Sequence, residues 1–206
     1  MTSEETAVES VFDGASSVLL LSPSLDEGES DACIELLHPD DADKNALWVS
    51  YTKSPDAQLR RWRTHSEHPP ANVGVVSVGD STRSVGAPAT AGADEKQLDT
   101  GVKTVANPND LTGLGISITE QLSRWRDNGN RTVVCVDSLT AMLQYVELQT
   151  AYEFLHVLTG RLYAVDAVAH FHMDPGAHDE QTVETIASLC DAVVELRDDG
   201  RRVRCR

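Results

Sequence analysis

Lysine is nearly absent from this 206-residue chain: only Lys44, Lys53, Lys96 and Lys103 occur, and every other base is an arginine. Against 17 basic residues stand 33 acidic ones, for a formal net charge of -16. That balance argues against a non-specific nucleic-acid binder, whose affinity comes from basic side chains displacing counterions. Salt would weaken even a modest basic patch. Paired cysteine motifs are also missing. Cys33, Cys135, Cys190 and Cys205 form no CxxC, which reads as a reducing cytoplasm without a structural zinc. Cys135 lies in an apolar run and reads as a small core residue. No run approaches the length of a membrane span. The opening MTSEETAVES has neither a basic n-region nor an apolar h-region, so no secretory signal is expected.

What is present is a globular composition, 40% hydrophobic, at a length that suits one α/β domain over 1–206. Residues 1–14 read as a flexible N-terminus. SVLLL at 17–21 is a short apolar run ending in Ser-Pro-Ser, the pattern of a buried parallel strand. After an acidic turn at Asp26, Glu27, Gly28 and Glu29, a helix with Cys33, Leu36 and Leu37 on one face should run to Pro39. ALWVSY at 46–51 reads as a second strand. Ser54-Pro55 then starts a helix, since serine caps and proline suits the first turn. VGVVSV at 73–78 is a third strand. Residues 79–101 are rich in Gly, Ser, Ala, Thr and Asp and read as a long surface loop; 101–105 reads as a short strand.

Asn109 or Asp110 opens the clearest helix, with Leu111, Leu114, Ile118, Leu122 and Trp125 spaced by threes and fours and Asn128-Gly129 as its stop. TVVCV at 132–136 is a strand ending in Asp137-Ser138. A helix carrying Leu155, Leu158 and Leu162 follows, then a strand over 164–172. Asp179 caps a helix with Val183, Ile186 and Leu189 inward. Asp198-Asp199-Gly200 joins 192–196 to 202–206 as a hairpin. Strands alternate with helices almost throughout. The expected fold is therefore a mainly parallel sheet with helices on both faces and a C-terminal β-hairpin.

Two stretches lie where a nucleotide fold keeps its chemistry. A phosphate loop reads G-x-x-x-x-G-K-[ST]: glycines let backbone N–H groups close on phosphate, lysine neutralises it, and the hydroxyl holds magnesium. Here the matching stretch runs from Pro23 to Ser30. Gly28 and Ser30 fit, Pro23 replaces the first glycine, and Glu29 replaces the lysine. The second stretch is TVVCVDSLTAML, in which Asp137 would face magnesium from a strand end, followed by Ser138. On its own, Asp-Ser after a buried strand is equally a turn or a helix cap.

The order SVLLLSPSLDEGES, WVSYTKSPDAQL, TVVCVDSLTAML, AVAHFHMDP and CDAVVEL resembles the core segments of the KaiC/RadA branch of RecA-like P-loop ATPases. It looks closest to haloarchaeal KaiC-like proteins with degenerate loops, which the acidic, lysine-poor composition also suits. The resemblance implies a RecA-like fold with Mg-ATP as the ancestral ligand. It also implies two glutamates at the end of the second strand, where this chain has Thr52 and Lys53. A carboxylate about 4 Å from a phosphate charge costs about 4 kcal/mol at an effective dielectric near 20, where lysine would gain as much. Phosphoryl transfer depends almost wholly on such stabilisation, so little hydrolysis is expected. Asp26, Glu27, Glu29 and Asp31 suit the positive end of a helix, and the turn reads as capping itself in place of phosphate.

His170 and His172, two apart on a strand, share a face near its carboxyl end, with Asp174, His178 and Asp179 close in sequence. They are candidates for a metal site or for hydrogen-bonded histidines, and no zinc motif is matched. Arg204 and Arg206, in the basic C-terminus, either guard a sheet edge or, as the resemblance implies, reach a neighbouring subunit's nucleotide. The expectation is a pseudo-ATPase without catalytic residues or resident cofactor, acting through protein contacts in cytoplasmic signalling. The partner would be an active paralogue or a second copy, with neither nucleic acid nor membrane involved. The rival expectations are a protein that binds or weakly hydrolyses ATP, with Lys53, Arg60 or Arg61 as substitute cation, and a subunit that lends arginines in trans.

Overall fold

The computed structural model describes residues 15–23, 28–37, 43–65, 70–79, 100–197 and 200–205. Eight strands form one sheet in the order β4-β3-β2-β5-β6-β1-β7-β8. They are β1 (Ser17–Leu21), β2 (Lys44–Ser50), β3 (Asn72–Val78), β4 (Thr100–Val105), β5 (Arg131–Asp137), β6 (Val168–Met173), β7 (Ala192–Arg197) and β8 (Gly200–Cys205). All neighbours are parallel except β7 and β8, which pair antiparallel as the C-terminal hairpin. The helices are α1 (Gly28–Leu37), α2 (Pro55–His65), α3 (Leu111–Trp125), α4 (Leu139–Met142), α5 (Leu148–Ala164) and α6 (Glu180–Ala187). This arrangement is consistent with a RecA-like α/β fold.

Local chemistry explains most boundaries. Asp110 caps α3 by accepting from Gly113 N at 2.8 Å, and Asp179 caps α6 by accepting from Thr182 N at 2.7 Å. Gly129 takes a φ of +79° beyond α3, a conformation that costs glycine little. The Asp191 carboxylate accepts from Ser16 N, Ser17 N and Ser17 Oγ at 2.9–3.0 Å and ties the start of β1 to the start of β7.

Three expectations need correction. Residue 164 ends α5 and does not open β6: Leu162 belongs to the helix's buried face, and the chain turns at Val165 and Asp166 before the strand starts at Val168. β2 begins two residues before the apolar run, because Asn45 is held by amide contacts: it bonds Asn72 and Asn128 at 2.9 Å and the Asn130 carbonyl at 3.0 Å. Hydrophobic patterning cannot register a strand end stabilised by polar groups. The short α4, capped by Ser138 at Ala141 N (3.2 Å), was not expected at all. Within the stretch read as a loop, Thr100 and Gly101 belong to β4 and Gly79 ends β3, while residues 80–99 and 1–14 lie outside the described residues.

The sheet separates two unlike layers. On one face, β-strand residues such as Leu19, Leu47, Val134, Val136 and Phe171 join α3, α5 and α6 in one continuous apolar core. On the other, α1 and α2 cover two smaller apolar groups. One is built on Val18, Leu20, Ala32, Leu36 and Val194, the other on Cys33, Leu37, Trp48, Trp62, Val75 and Cys135. Trp62 meets Trp48 edge-on, with ring centroids 5.4 Å apart.

Candidate functional site

Between those two smaller groups, near the carboxyl ends of the central strands, the α1–α2 face carries a seam of buried polar side chains. It arises from simple periodicities. On α1, Glu29 and Cys33 are four apart and share a helix face. On β5, Cys135 and Asp137 are two apart, as are His170 and His172 on β6, so each pair points to one side of the sheet. Register brings the strands together: Cys135 pairs with His170. α1 and β5 thus each supply one residue to a deeper layer and one to an upper layer at the strand ends, while β6 supplies His170 to the deeper layer and His172 to both.

The upper layer is an ion network. Asp137, buried, lies 2.6 Å from Lys53 Nζ and 3.9 Å from Arg61 Nη1. Gln58 Nε2 and Thr52 Oγ1 donate to its two oxygens at 3.4 Å. Glu29 Oε1 stands 2.8 Å from His172 Nδ1, 3.5 Å from Arg61 Nη2 and 3.9 Å from Lys53 Nζ. Arg61 also donates to the Glu29 backbone carbonyl at 3.1 Å. A tight turn aims Lys53 inward: Ser50 Oγ accepts from Lys53 N at 2.9 Å and donates to Lys53 O at 2.8 Å. The Asp137–Ser138 peptide that follows β5 is cis.

Burial opposes ionisation of Glu29, but the close contact and charge of His172, then Lys53 and Arg61, outweigh it and bring its pKa to about 2. Burial likewise works against a charged His172, yet Cys33 and Glu29 outweigh it and raise its pKa to about 9. The approach of Glu29 to Nδ1 misses hydrogen-bond alignment, and Nε2 has no hydrogen-bond partner either. The contact with Glu29 is therefore mainly one of charge.

The deeper layer is a quartet of Cys33, Cys135, His170 and His172, all buried, with one donor atom from each lying within 4.8 Å of the others. Cys33 Sγ is 3.7 Å from Cys135 Sγ and 3.3 Å from His170 Nε2. Burial raises the thiol pKa of both cysteines. For Cys33 the Cys135 hydrogen bond and the nearby imidazoles reverse the effect and hold it well below the usual thiol range; Cys135 stays well above it. Burial lowers His170. A second group, Glu29, Asp137 and His172, also lies within 4.8 Å.

Sequence reasoning identified Glu29, Asp137, His170 and His172, and the structure brings all four together. It read Cys135 as core packing and Cys33 as part of a helix's apolar face. The signals were the spacings Glu29/Cys33 and Cys135/Asp137, which gain meaning only once β5 lies beside β6. Lys53 and Arg61 do converge here, while Arg60 is exposed. The other expected residues stand elsewhere. Pro23 is exposed, and Gly28 and Ser30 begin α1 half-buried. His178 Nε2 meets Thr140 Oγ1 at 3.1 Å, outside both groups. Arg204, on β8, holds Glu184 at 3.2 Å. Residues 24–27 of the phosphate-loop stretch and Arg206 lie outside the described residues.

The chain belongs to a family of unknown function, DUF7504, whose profile matches residues 15–196. No curated protein matches it in sequence. Among solved structures it is similar to a Pyrococcus horikoshii OT3 protein determined in a structural study. The match covers 95% of this chain and 90% of that one at 12% identity, with a TM-score of 0.55. At that identity the likeness speaks to the fold alone.

Proposed function

We propose that this protein is a RecA-fold relative of the KaiC-like kind that neither binds Mg-ATP productively nor hydrolyses it, and that acts through contacts with other proteins. The observation that carries the reading is the 2.6 Å pair between Lys53 and Asp137. In the resemblance, the aspartate faces magnesium and the lysine position belongs to the phosphate loop. Here the charges are exchanged. The loop position carries Glu29, the end of β2 carries Lys53, and the two satisfy each other with Asp137 and Arg61. Phosphate would meet Glu29 where its relatives offer lysine, and magnesium would have to displace an ammonium group from Asp137.

Contact surface is available on the opposite face. Ile116 on α3 and Val157 and Tyr163 on α5 are 54%, 55% and 75% exposed, on helices linked by the Arg161–Thr119 hydrogen bond. A partner that covered these side chains would gain from burying their apolar area. The four cysteines are free and no helix among the described residues is long and apolar enough to cross a membrane.

Calorimetry of the full chain with Mg-ATP at high KCl tests the reading. No heat of binding is expected at millimolar nucleotide. ATP turnover at rates typical of RecA-type enzymes, lost in Asp137→Ala, overturns it.

A further inference from the structure

We infer that Cys33, Cys135, His170 and His172 form a structural zinc site, which pins α1 to the junction of β5 and β6. The inference stands apart from the nucleotide reading, since none of the four residues belongs to the phosphate-loop or magnesium positions.

Three observations carry it. The first is the donor set. Two thiols and two imidazoles are the ligands of closed tetrahedral zinc sites, and soft sulfur with borderline nitrogen favours zinc over the oxygen-seeking magnesium and calcium. The second is distance. Zinc–sulfur bonds of about 2.3 Å and zinc–nitrogen bonds of about 2.0–2.1 Å in a tetrahedron require edges of about 3.8 Å between sulfurs and about 3.5 Å between sulfur and nitrogen. The quartet shows 3.7 Å between Cys33 and Cys135 and 3.3 Å between Cys33 and His170. Those two edges match coordination spacing and the remaining ones lie within 4.8 Å, so binding asks for contraction of about an ångström at most.

The third observation is an unfilled valence. His172 is 4% exposed, and its Nε2 has no hydrogen-bond partner. A buried imidazole nitrogen without a partner is costly, and a metal ion would satisfy it. Its other nitrogen, Nδ1, faces Glu29 Oε1 at 2.8 Å. The carboxylate there acts on the ring through charge, the support that an outer carboxylate gives a ligating imidazole. Glu29 therefore touches both layers: it meets Lys53 and Arg61 above and His172 beside the quartet.

The neighbouring group of Glu29, Asp137 and His172 differs in kind. Lys53 and Arg61 already supply its positive charge, so a divalent ion there would be repelled by two cations. Arg61 also feels the charge of Cys33 and Cys135, but two thiolates more than offset one guanidinium, and the quartet's four protein donors leave no open position. The site is accordingly closed and structural rather than catalytic. Binding would expel the thiol protons and join residues far apart in the sequence, so that metal affinity becomes folding stability.

The test uses the full chain, produced with zinc in the medium and purified under reducing conditions without chelator. Elemental analysis should find about one zinc per chain. Titrating metal-stripped protein with Co2+ should give a near-ultraviolet thiolate-to-cobalt charge-transfer band and the strong visible bands of a tetrahedral centre. Cys33→Ser and Cys135→Ser should each abolish or weaken the charge-transfer band, while His178→Ala leaves it intact. Glu29→Gln should weaken zinc binding by about 10–100-fold without removing the sulfur band. The wild-type spectrum decides the matter even where a buried variant fails to fold. Folded wild-type protein that retains no zinc and shows no sulfur-to-cobalt band overturns the inference. So does cobalt bound without sulfur.

Discussion

The two faces of the sheet make opposite use of alternating residues on the same strands. On β6, Phe171 points into the continuous core beneath α5 and α6, while His170 and His172 on either side of it point toward α1. On β5, Val134 and Val136 serve the first face and Cys135 and Asp137 the second. One face stabilises the fold by burying apolar area, at roughly 25 cal/mol per Å2. The other splits its apolar cover into two groups and runs a polar seam between them. A buried polar group costs free energy unless it finds a partner, so a fold that keeps such a seam must satisfy it. The ion network does so in part in the upper layer, where Gln58 Oε1 and Arg61 Nε and Nη1 still lack hydrogen-bond partners, and a bound metal would do so in the deeper one.

Mutations can break this comparison on either side. The largest loss is expected for Phe171→Ala, at about 3–5 kcal/mol, because the cavity it leaves is enclosed by packed side chains. Urea unfolding should show a lower midpoint with an unchanged slope. On the seam, Asp137→Ala should cost about 3 kcal/mol, since Arg61 would remain buried with less compensation. Adding Lys53→Met should recover part of that loss, because replacing both members of a pair leaves fewer unpaired charges than removing one. A double-mutant cycle on urea midpoints measures the coupling. If the two losses simply add, the network is not cooperative.

A smaller effect is expected where the continuous face is tightest. A methyl group at Gly74 would come within 2.9 Å of the Trp125 ring and 3.0 Å of Gln121 Cγ. Gly74→Ala should therefore cost about 1–3 kcal/mol through overpacking, read as a drop in Tm. Its zinc content should match wild type, because α3 lies across the sheet from the quartet.

Much of the fold was legible because each strand is a short apolar run between turn residues. β1 over 17–21 was read to the residue, and the caps at Asp110 and Asp179 were visible as helix openers. The errors fell where polar groups or geometry decided the boundary: the asparagine contacts at the head of β2, the single turn of α4, and the passage from α5 to β6. The site was half legible. Glu29, Asp137 and the two histidines stood out because their residue types were unusual for their places. Cys33 and Cys135 did not, since a lone cysteine in an apolar stretch looks like packing.

By itself the sequence determined an α/β chain with Glu29 at the start of a helix and Thr52-Lys53 after the second strand. Those are local facts, carried by residue type and spacing. Only the tertiary structure decided which of these residues meet. Parallel pairing of β5 with β6 sets Cys135 beside His170, and the packing of α1 lowers Cys33 and Glu29 onto them. The turn after β2 then swings Lys53 onto Asp137. Contacts between residues a hundred positions apart leave no trace in local periodicity, because periodicity records which face a residue takes and not which residue it will meet there.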